Sequence, residues 1–250
     1  MVTVDVLYSG AMHSWPELRE NVLRAEGEGF GTAWVYDHMS GSVLSSDRML
    51  ECFTLAGALA AATSTIGIGT LVVNAANRTP GMTAVAAASV QEISEGRFIF
   101  GLGAGAAPGS RWAQEHEVLG IPLHDSMQDR HAHLVSILDL CDVLWDPNRD
   151  AKWNGFPLPS PRPPVLLGVN SVALAKLAGA RCQAVNVRLE HPRIEEFFQA
   201  ARDARAQSAN PSAPLDLSAW TDLSDASLDS HGVAQRRIDE LGGHRLILAG

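Results

Sequence analysis

The sequence predicts an α/β protein, a closed (β/α)8 TIM barrel, on three observations. Hydrophobic period switches repeatedly between about two and about 3.6 residues along the 250-residue chain. The switches separate eight strand-like runs by seven helix-like ones, and such alternation forces parallel strands joined by right-handed crossovers. The length is the usual one for a barrel of eight such units. A doubly wound open sheet satisfies the same alternation, but eight units in this length favour closure as one domain over residues 1–250.

Thr3 to Ser9 opens the chain with Val4, Val6 and Leu7 in a β-rich run. Ser14-Trp15-Pro16-Glu17 starts a helix with a serine cap, an early proline and a glutamate three residues on. Its apolar positions Leu18, Val22 and Ala25 recur at helical spacing, and Gly27 and Gly29 stop it. Thr32 to Tyr36 is the second strand, Arg48 to Thr63 an alanine-rich helix, and Ile66 to Val73 the third strand. Thr79-Pro80 caps a helix to about Ser94, and Phe98 to Leu102 is the fourth strand. A glycine-rich stretch, Gly101 to Gly109, leads through a polar connection to a helix over Asp125 to Leu144.

The proline-rich segment 145–164, between that fourth helix and the fifth strand, breaks the rhythm and reads as an excursion. The alternation resumes with strand Val165–Gly168, helix Val172–Ala180, strand Ala184–Arg188 and helix Arg193–Gln207. Leu215 to Thr221 is a weaker strand. Ser230 to Leu241 is a helix closed by Gly242-Gly243, and Arg245 to Leu248 is the eighth strand, with no helix expected after it.

Apolar residues make up 46% of the chain and charged ones 19%, enough for one large core. With 28 acidic and 19 basic residues the formal charge is −9, which argues against a nucleic-acid or anionic-membrane surface. Three scattered cysteines, Cys52, Cys141 and Cys182, support neither a disulfide framework nor a zinc site, and fit a reducing setting. No basic leader precedes an apolar stretch at the N-terminus, and the longest mainly apolar window, Phe53 to Ala62, is about half a bilayer span. A cytoplasmic protein without a membrane segment is expected.

In a barrel, function belongs on the loops leaving the C-terminal strand ends. Those ends carry Gly10-Ala11-Met12-His13, Asp37-His38-Met39, Asn74 with Asn77-Arg78, Gly103-Ala104-Gly105, and Gly168-Val169-Asn170-Ser171. Asp37-His38 is the best acid–base candidate, because a histidine titrates near neutrality and a carboxylate can hold its charge state. Adjacent strand residues point to opposite sides, however, so the two need not touch, and a pair satisfying local backbone groups is an equal reading.

Gly101 to Gly105 suggests a dinucleotide turn but fails on spacing: counted from Gly103, the third glycine position is Pro108. A tight turn, or a backbone pressed close to a flat ligand, remains. Asn170-Ser171 opens a helix whose unpaired amides suit a phosphate, with Lys176 and Arg181 downstream, or it is an ordinary cap. His131 and His133 fall on different helix faces, and His116 and His124 lack ligand spacing, so no metal is expected. No serine sits in a nucleophile elbow and no cysteine has an activating neighbour.

These motifs together resemble the luciferase-like monooxygenase superfamily. The run Ala25-Glu26-Gly27-Glu28-Gly29-Phe30-Gly31, continuing to Val35-Tyr36-Asp37-His38, is similar to its second βα region. Ser94-Glu95-Gly96-Arg97-Phe98 followed by Gly101-Leu102-Gly103-Ala104-Gly105 is similar to its most specific signature. Trp112 to Pro122, with Glu115-His116 and Leu119-Gly120-Ile121-Pro122, and Pro164 to Gly179 extend the likeness over most of residues 1–190. Asp37-His38, the alanine content and the arginine bias point to the branch that uses the deazaflavin coenzyme F420; the flavin mononucleotide (FMN) branch shares the barrel.

The resemblance implies an oxidoreductase that moves a hydride between coenzyme F420 and a small organic substrate. An FMN-dependent monooxygenase is the alternative, and a barrel that has lost cofactor binding is a third. By the same resemblance Asp37 and His38 flank the ring, with His38 as proton donor or acceptor. Leu71-Val72 matches a non-prolyl cis peptide that backs the ring. Asn74, Gly103, Gly105 and Ala106 would line the coenzyme, Gly168, Asn170 and Ser171 would hold its phosphate, and His13 and Trp15 would face the substrate. A homodimer is implied too. Ala106-Ala107 stand where sugar-phosphate-oxidising relatives carry an acidic residue, Gln183-Ala184-Val185-Asn186 replaces a usual Ala-Asp-Gly, and the family's closing helix is not expected within these residues.

Overall fold

β-Branched and aliphatic runs that are apolar on both faces need cover on both sides, and the computed structural model, describing residues 2–229 and 232–250, supplies it. Nine parallel segments hydrogen-bond in one sheet: β1 (Thr3–Tyr8), β2 (Thr32–Val35), β3 (Gly67–Thr70), β4 (Val73–Asn74), β5 (Phe98–Gly103), β6 (Val165–Gly168), β7 (Ala184–Arg188), β8 (Asp216–Asp222) and β9 (Arg245–Ala249). β3 and β4 flank the cis Leu71–Val72 peptide and both pair with β5, so they form one stave. β9 pairs with β1 through Val4↔Leu246 and Val6↔Leu248, which closes an eight-stranded barrel.

Nine helices surround it among the described residues: α1 (Trp15–Glu28), α2 (Cys52–Ala62), α3 (Pro80–Ile93), α4 (Gln114–Leu119), α5 (Met127–Leu144), α6 (Val172–Arg181), α7 (Ile194–Ala206), α8 (Asp225–Leu228) and α9 (Val233–Glu240). Two of them, α4 and α8, lie where the hydrophobic pattern predicts only loops; both are too short for a helical period to register. α2 begins at Cys52 rather than Arg48, because the Glu51 carboxylate accepts from the Phe53 and Thr54 amides at 3.2 and 2.7 Å. The expected start of the last helix at Ser230 lies outside the described residues. The excursion is tied down by Arg149, which donates to the Leu144, Pro157 and Phe156 carbonyls at 2.5, 3.0 and 2.7 Å.

Two apolar clusters result. The larger fills the shell between barrel and helices, with Val22, Leu59, Phe98, Phe100 and Phe197. The smaller fills the barrel interior with Leu7, Trp34, Leu71, Leu166, Ala184 and Ile247. Gly69 is what admits Trp34: a Cβ there would lie 2.3 Å from the indole. Below that layer Asp5 accepts from Trp34 Nε1 at 2.8 Å and pairs with Arg245, which also reaches Asp216 at 3.2 Å. Burial raises the Asp5 carboxyl in spite of Arg245. The N-terminal mouth is thereby plugged, and free space remains at the other end.

Glu26 locks α1 to the segment entering β3. Its Oε1 accepts from the Ser64, Thr65 and Ile66 amides at 2.8, 2.6 and 3.0 Å. Burial raises this carboxyl, but the backbone donors outweigh burial and bring it from 4.5 to about 2. A depressed folded value means the stabilisation is present above the unfolded value and is lost as pH falls through the folded one. Glu26→Gln is therefore expected to cost about 1 kcal/mol at neutral pH. Thermal melts should show the gap to wild type narrowing as pH falls from about 4.5 toward 2. A gap constant across that window would contradict the assignment.

Candidate active site

The open C-terminal mouth holds a cavity of about 570 Å³. Its floor is aliphatic: Leu7, Leu71 and Val72 beside Gly103 and Gly168. The two glycines exist in relation to Val72, since a Cβ on Gly103 would lie 2.5 Å from Val72 Cγ2 and one on Gly168 2.9 Å from Val72 Cγ1. Gly103→Ala is expected to cost about 1–3 kcal/mol by overpacking. Adding Val72→Ala should recover most of it in a urea titration; no recovery would mean that Val72 is not the obstructing group.

The walls depend on two separate ion pairs. Asp37, at the end of β2, has a side chain with no solvent exposure and accepts both arms of Arg78 at 2.7 and 2.8 Å. It also accepts from the Asn74 amide at 2.9 Å, which joins the end of β2 to β4. Burial works against the Arg78 charge, but the Asp37 and Glu51 carboxylates outweigh it and raise its pKa further. Below them, burial followed by the Asp37 charge pushes the Cys52 thiol well above its ordinary range.

His38 uses a different acid. Its Nδ1 lies 3.2 Å from Glu115 Oε1, while Glu115 Oε2 accepts from the Met39 and Ser40 amides at 2.8 and 3.0 Å. Burial raises Glu115, but the hydrogen bond from His38 and the two amides outweigh it and hold the carboxyl below its ordinary value. An ionised carboxylate only accepts, so the Nδ1 proton is assigned to His38, whose ring lines the cavity and whose Nε2 is not used in that bond. Trp112 stacks on the imidazole with ring centroids 5.2 Å apart and planes at 26°. The next residue of α4, fully buried His116, donates from Nε2 to Asn77 Oδ1 at 2.8 Å. One short helix thus clips the ends of two staves.

The reading of Asp37 and His38 as a mutual acid–base couple gives way here: Asp37 is engaged by Arg78, and the partner of His38 comes from α4, 77 residues away. Asp37, His38, Leu71, Val72, Asn74, Gly103, Gly105, Ala106, Gly168 and Asn170 all line the one cavity. Ser171 stands at its edge as the cap of α6, its Oγ accepting from the Leu174 amide at 3.3 Å. His13 and Trp15 are not among the lining residues. Their loop turns toward residues 46–50, where Ser46 Oγ donates to the Ala11 carbonyl at 2.7 Å, and Trp15 packs against the helix–barrel core.

Arg78, Arg111, Trp112 and Glu115 complete the site. The stretch beginning at Trp112 resembles the family, but no local spacing connects it to His38. Among the described residues no three His, Cys, Asp or Glu side chains gather as a metal site, and no helix is long and apolar enough to cross a membrane.

The luciferase-like monooxygenase family matches residues 2–244. Two 5,10-methylenetetrahydromethanopterin reductases, from Archaeoglobus fulgidus and Methanolobus tindarius, are each 27% identical over 202 and 205 residues. The aligned parts are 78% of this chain and 56% and 57% of theirs, so the chain spans little more than half the length of these relatives. Among solved structures, an F420-dependent secondary alcohol dehydrogenase holding an F420–acetone adduct superposes with a TM-score of 0.79 at 16% identity, covering 100% of this chain and 93% of that one. An F420-dependent tetrahydromethanopterin reductase from Methanopyrus kandleri gives 0.74 at 13%, with coverage of 100% and 93%. A riboflavin lyase with modified FMN gives 0.68 at 15%, covering 89% and 62%. At these identities the structural likeness is one of fold. With the family match running through nearly every barrel stave, the chain belongs to the luciferase-like monooxygenase family.

Proposed function

We propose that this protein is an oxidoreductase that moves a hydride between coenzyme F420 and a small organic substrate. The observation that carries the reading is His38, held by Glu115 and Trp112 at the wall of a cavity with an aliphatic floor. The residues fit a planar tricyclic ring. Gly103 and Gly168 leave the floor without side chains of their own, and Val72 fills the space below them. Asn170 at the cavity edge, with the cap of α6 beside it, suits an anionic tail.

When bound, the deazaflavin supplies a ring carbon that takes or gives a hydride. The chain's own residues do the rest. Leu71, Val72, Gly103, Gly105 and Ala106 support the ring and exclude water. Asn170 and Ser171 bind the phosphate, and Asp37 fixes Asn74 through its amide. His38 Nε2 gives or receives the substrate proton as hydride moves, while its Nδ1 proton stays on the Glu115 hydrogen bond.

The relatives named as F420-dependent or as reductases support this reading. A second reading, with FMN in the same cavity, draws support from the riboflavin lyase fold. Titrating the pure protein with each cofactor, and following retention and fluorescence, separates the two. Retention of the deazaflavin alone is the expected result; retention of FMN alone selects the second reading, and retention of neither overturns both.

A further inference from the structure

The ionisable side chains lining the cavity have protein partners, with one exception among the described residues. Asp37 is matched by Arg78, His38 by Glu115, and Arg188 by Glu190 and Asp222 at 2.9 and 3.3 Å. Arg111 also lines the cavity and has no carboxylate within ion-pair distance among the described residues. Other basic side chains among the described residues also lack an ion pair; what sets the solvent-exposed Arg111 apart is its place on the cavity lining. Its guanidinium carbon lies 4.0 Å from the centroid of Trp112, the ring that stacks on His38. Stacking engages the guanidinium through its plane and leaves its N–H edge, a fork that matches a carboxylate. Tyr36, Leu44 and Trp220 also line the cavity, and Asp37, the acidic residue in that lining, is committed to Arg78.

We propose that Arg111 is a specificity-determining residue that binds the carboxylate of an otherwise apolar organic substrate, placing it beside His38. This rests on the reading of the cavity as the catalytic site. The coenzyme titration above tests that reading separately.

The test uses benzoate and its uncharged counterpart benzamide as probes, with binding to the full chain followed by ligand-observed NMR. Wild type is expected to prefer benzoate by about tenfold, the scale of one charge-assisted hydrogen-bonded pair. Arg111→Gln should abolish the preference with benzamide binding unchanged, Arg111→Lys should restore part of it, and Arg188→Gln should leave it intact. The proposal is overturned by absence of preference in wild type, by a preference that survives Arg111→Gln, or by weakened coenzyme binding in Arg111→Gln, which would assign the guanidinium to the coenzyme tail. A protein that binds neither coenzyme yet loses benzoate selectivity with Arg111 sinks the hydride-transfer reading and keeps the anion site.

Discussion

Arg78→Met is expected to destabilise the protein by about 3–5 kcal/mol, because it leaves the Asp37 carboxylate buried without its counter-charge. The Asp37 side chain has no solvent exposure and Arg78 is 16% exposed, so little water is at hand to replace the two guanidinium hydrogen bonds. The Asn74 amide still donates to Asp37, but one neutral donor cannot offset a lost cation. For a chain of this length the loss corresponds to a drop of about 10 °C in melting temperature. Asp37→Asn combined with Arg78→Met removes both charges and should recover a large part of the loss, since matched removal of a buried pair is far milder than breaking it. Denaturant titrations of the single and double variants check this. A single variant within about 1 kcal/mol of wild type would show that the pair is not what holds β2 to β4.

His38→Ala is expected to lower the rate of hydride transfer by about 10²–10⁴-fold while coenzyme affinity stays within about tenfold. The separation follows from geometry: the floor is built by Leu71, Val72, Gly103 and Gly168, and none of these contacts passes through the imidazole. Glu115→Gln should fall between, at about tenfold in kcat, because glutamine can still accept from His38 Nδ1 through its one carbonyl oxygen but then turns its NH2, a donor, toward the Met39 and Ser40 amides that donate to Glu115. Glu115 is thus a positioning residue, and its loss should appear in kcat more than in KM. Single-turnover kinetics with a substrate found by screening, together with coenzyme titrations, measure each quantity. Equal losses in rate and coenzyme affinity for His38→Ala would place the imidazole in binding rather than proton transfer.

Much of the barrel is written in short-range pattern. The Ser14-Trp15-Pro16-Glu17 start of α1 is a local hydrogen-bonding event, with the Ser14 amide donating to Glu17 at 2.7 Å, and it can be read from four residues. Each stave from β5 to β9 falls within a residue or two of its hydrophobic run for the same reason. The α4 helix was not legible, since six residues cannot display a helical period and its stability comes from what Glu115 and His116 grip. The Gly101 to Gly105 stretch suggested a backbone close to a flat ligand, and Gly168 was expected beside a phosphate; that Gly103 and Gly168 both make room for Val72 shows only when the staves stand side by side.

Pairing across the site lay beyond the sequence. Asp37 and His38 are neighbours along the chain, and adjacency suggested a couple; both lie past the end of β2 and line the same cavity, yet each finds its partner elsewhere, 41 and 77 residues away. What the sequence determined by itself is therefore the alternation, the closure that follows from eight repeats, and the rim on which polar groups collect. Which carboxylate serves the imidazole, and which cation is spent on a buried acid, were decided by the tertiary fold. Electrostatic partnership depends on distances of about 3 Å between side chains, and chain order does not encode them.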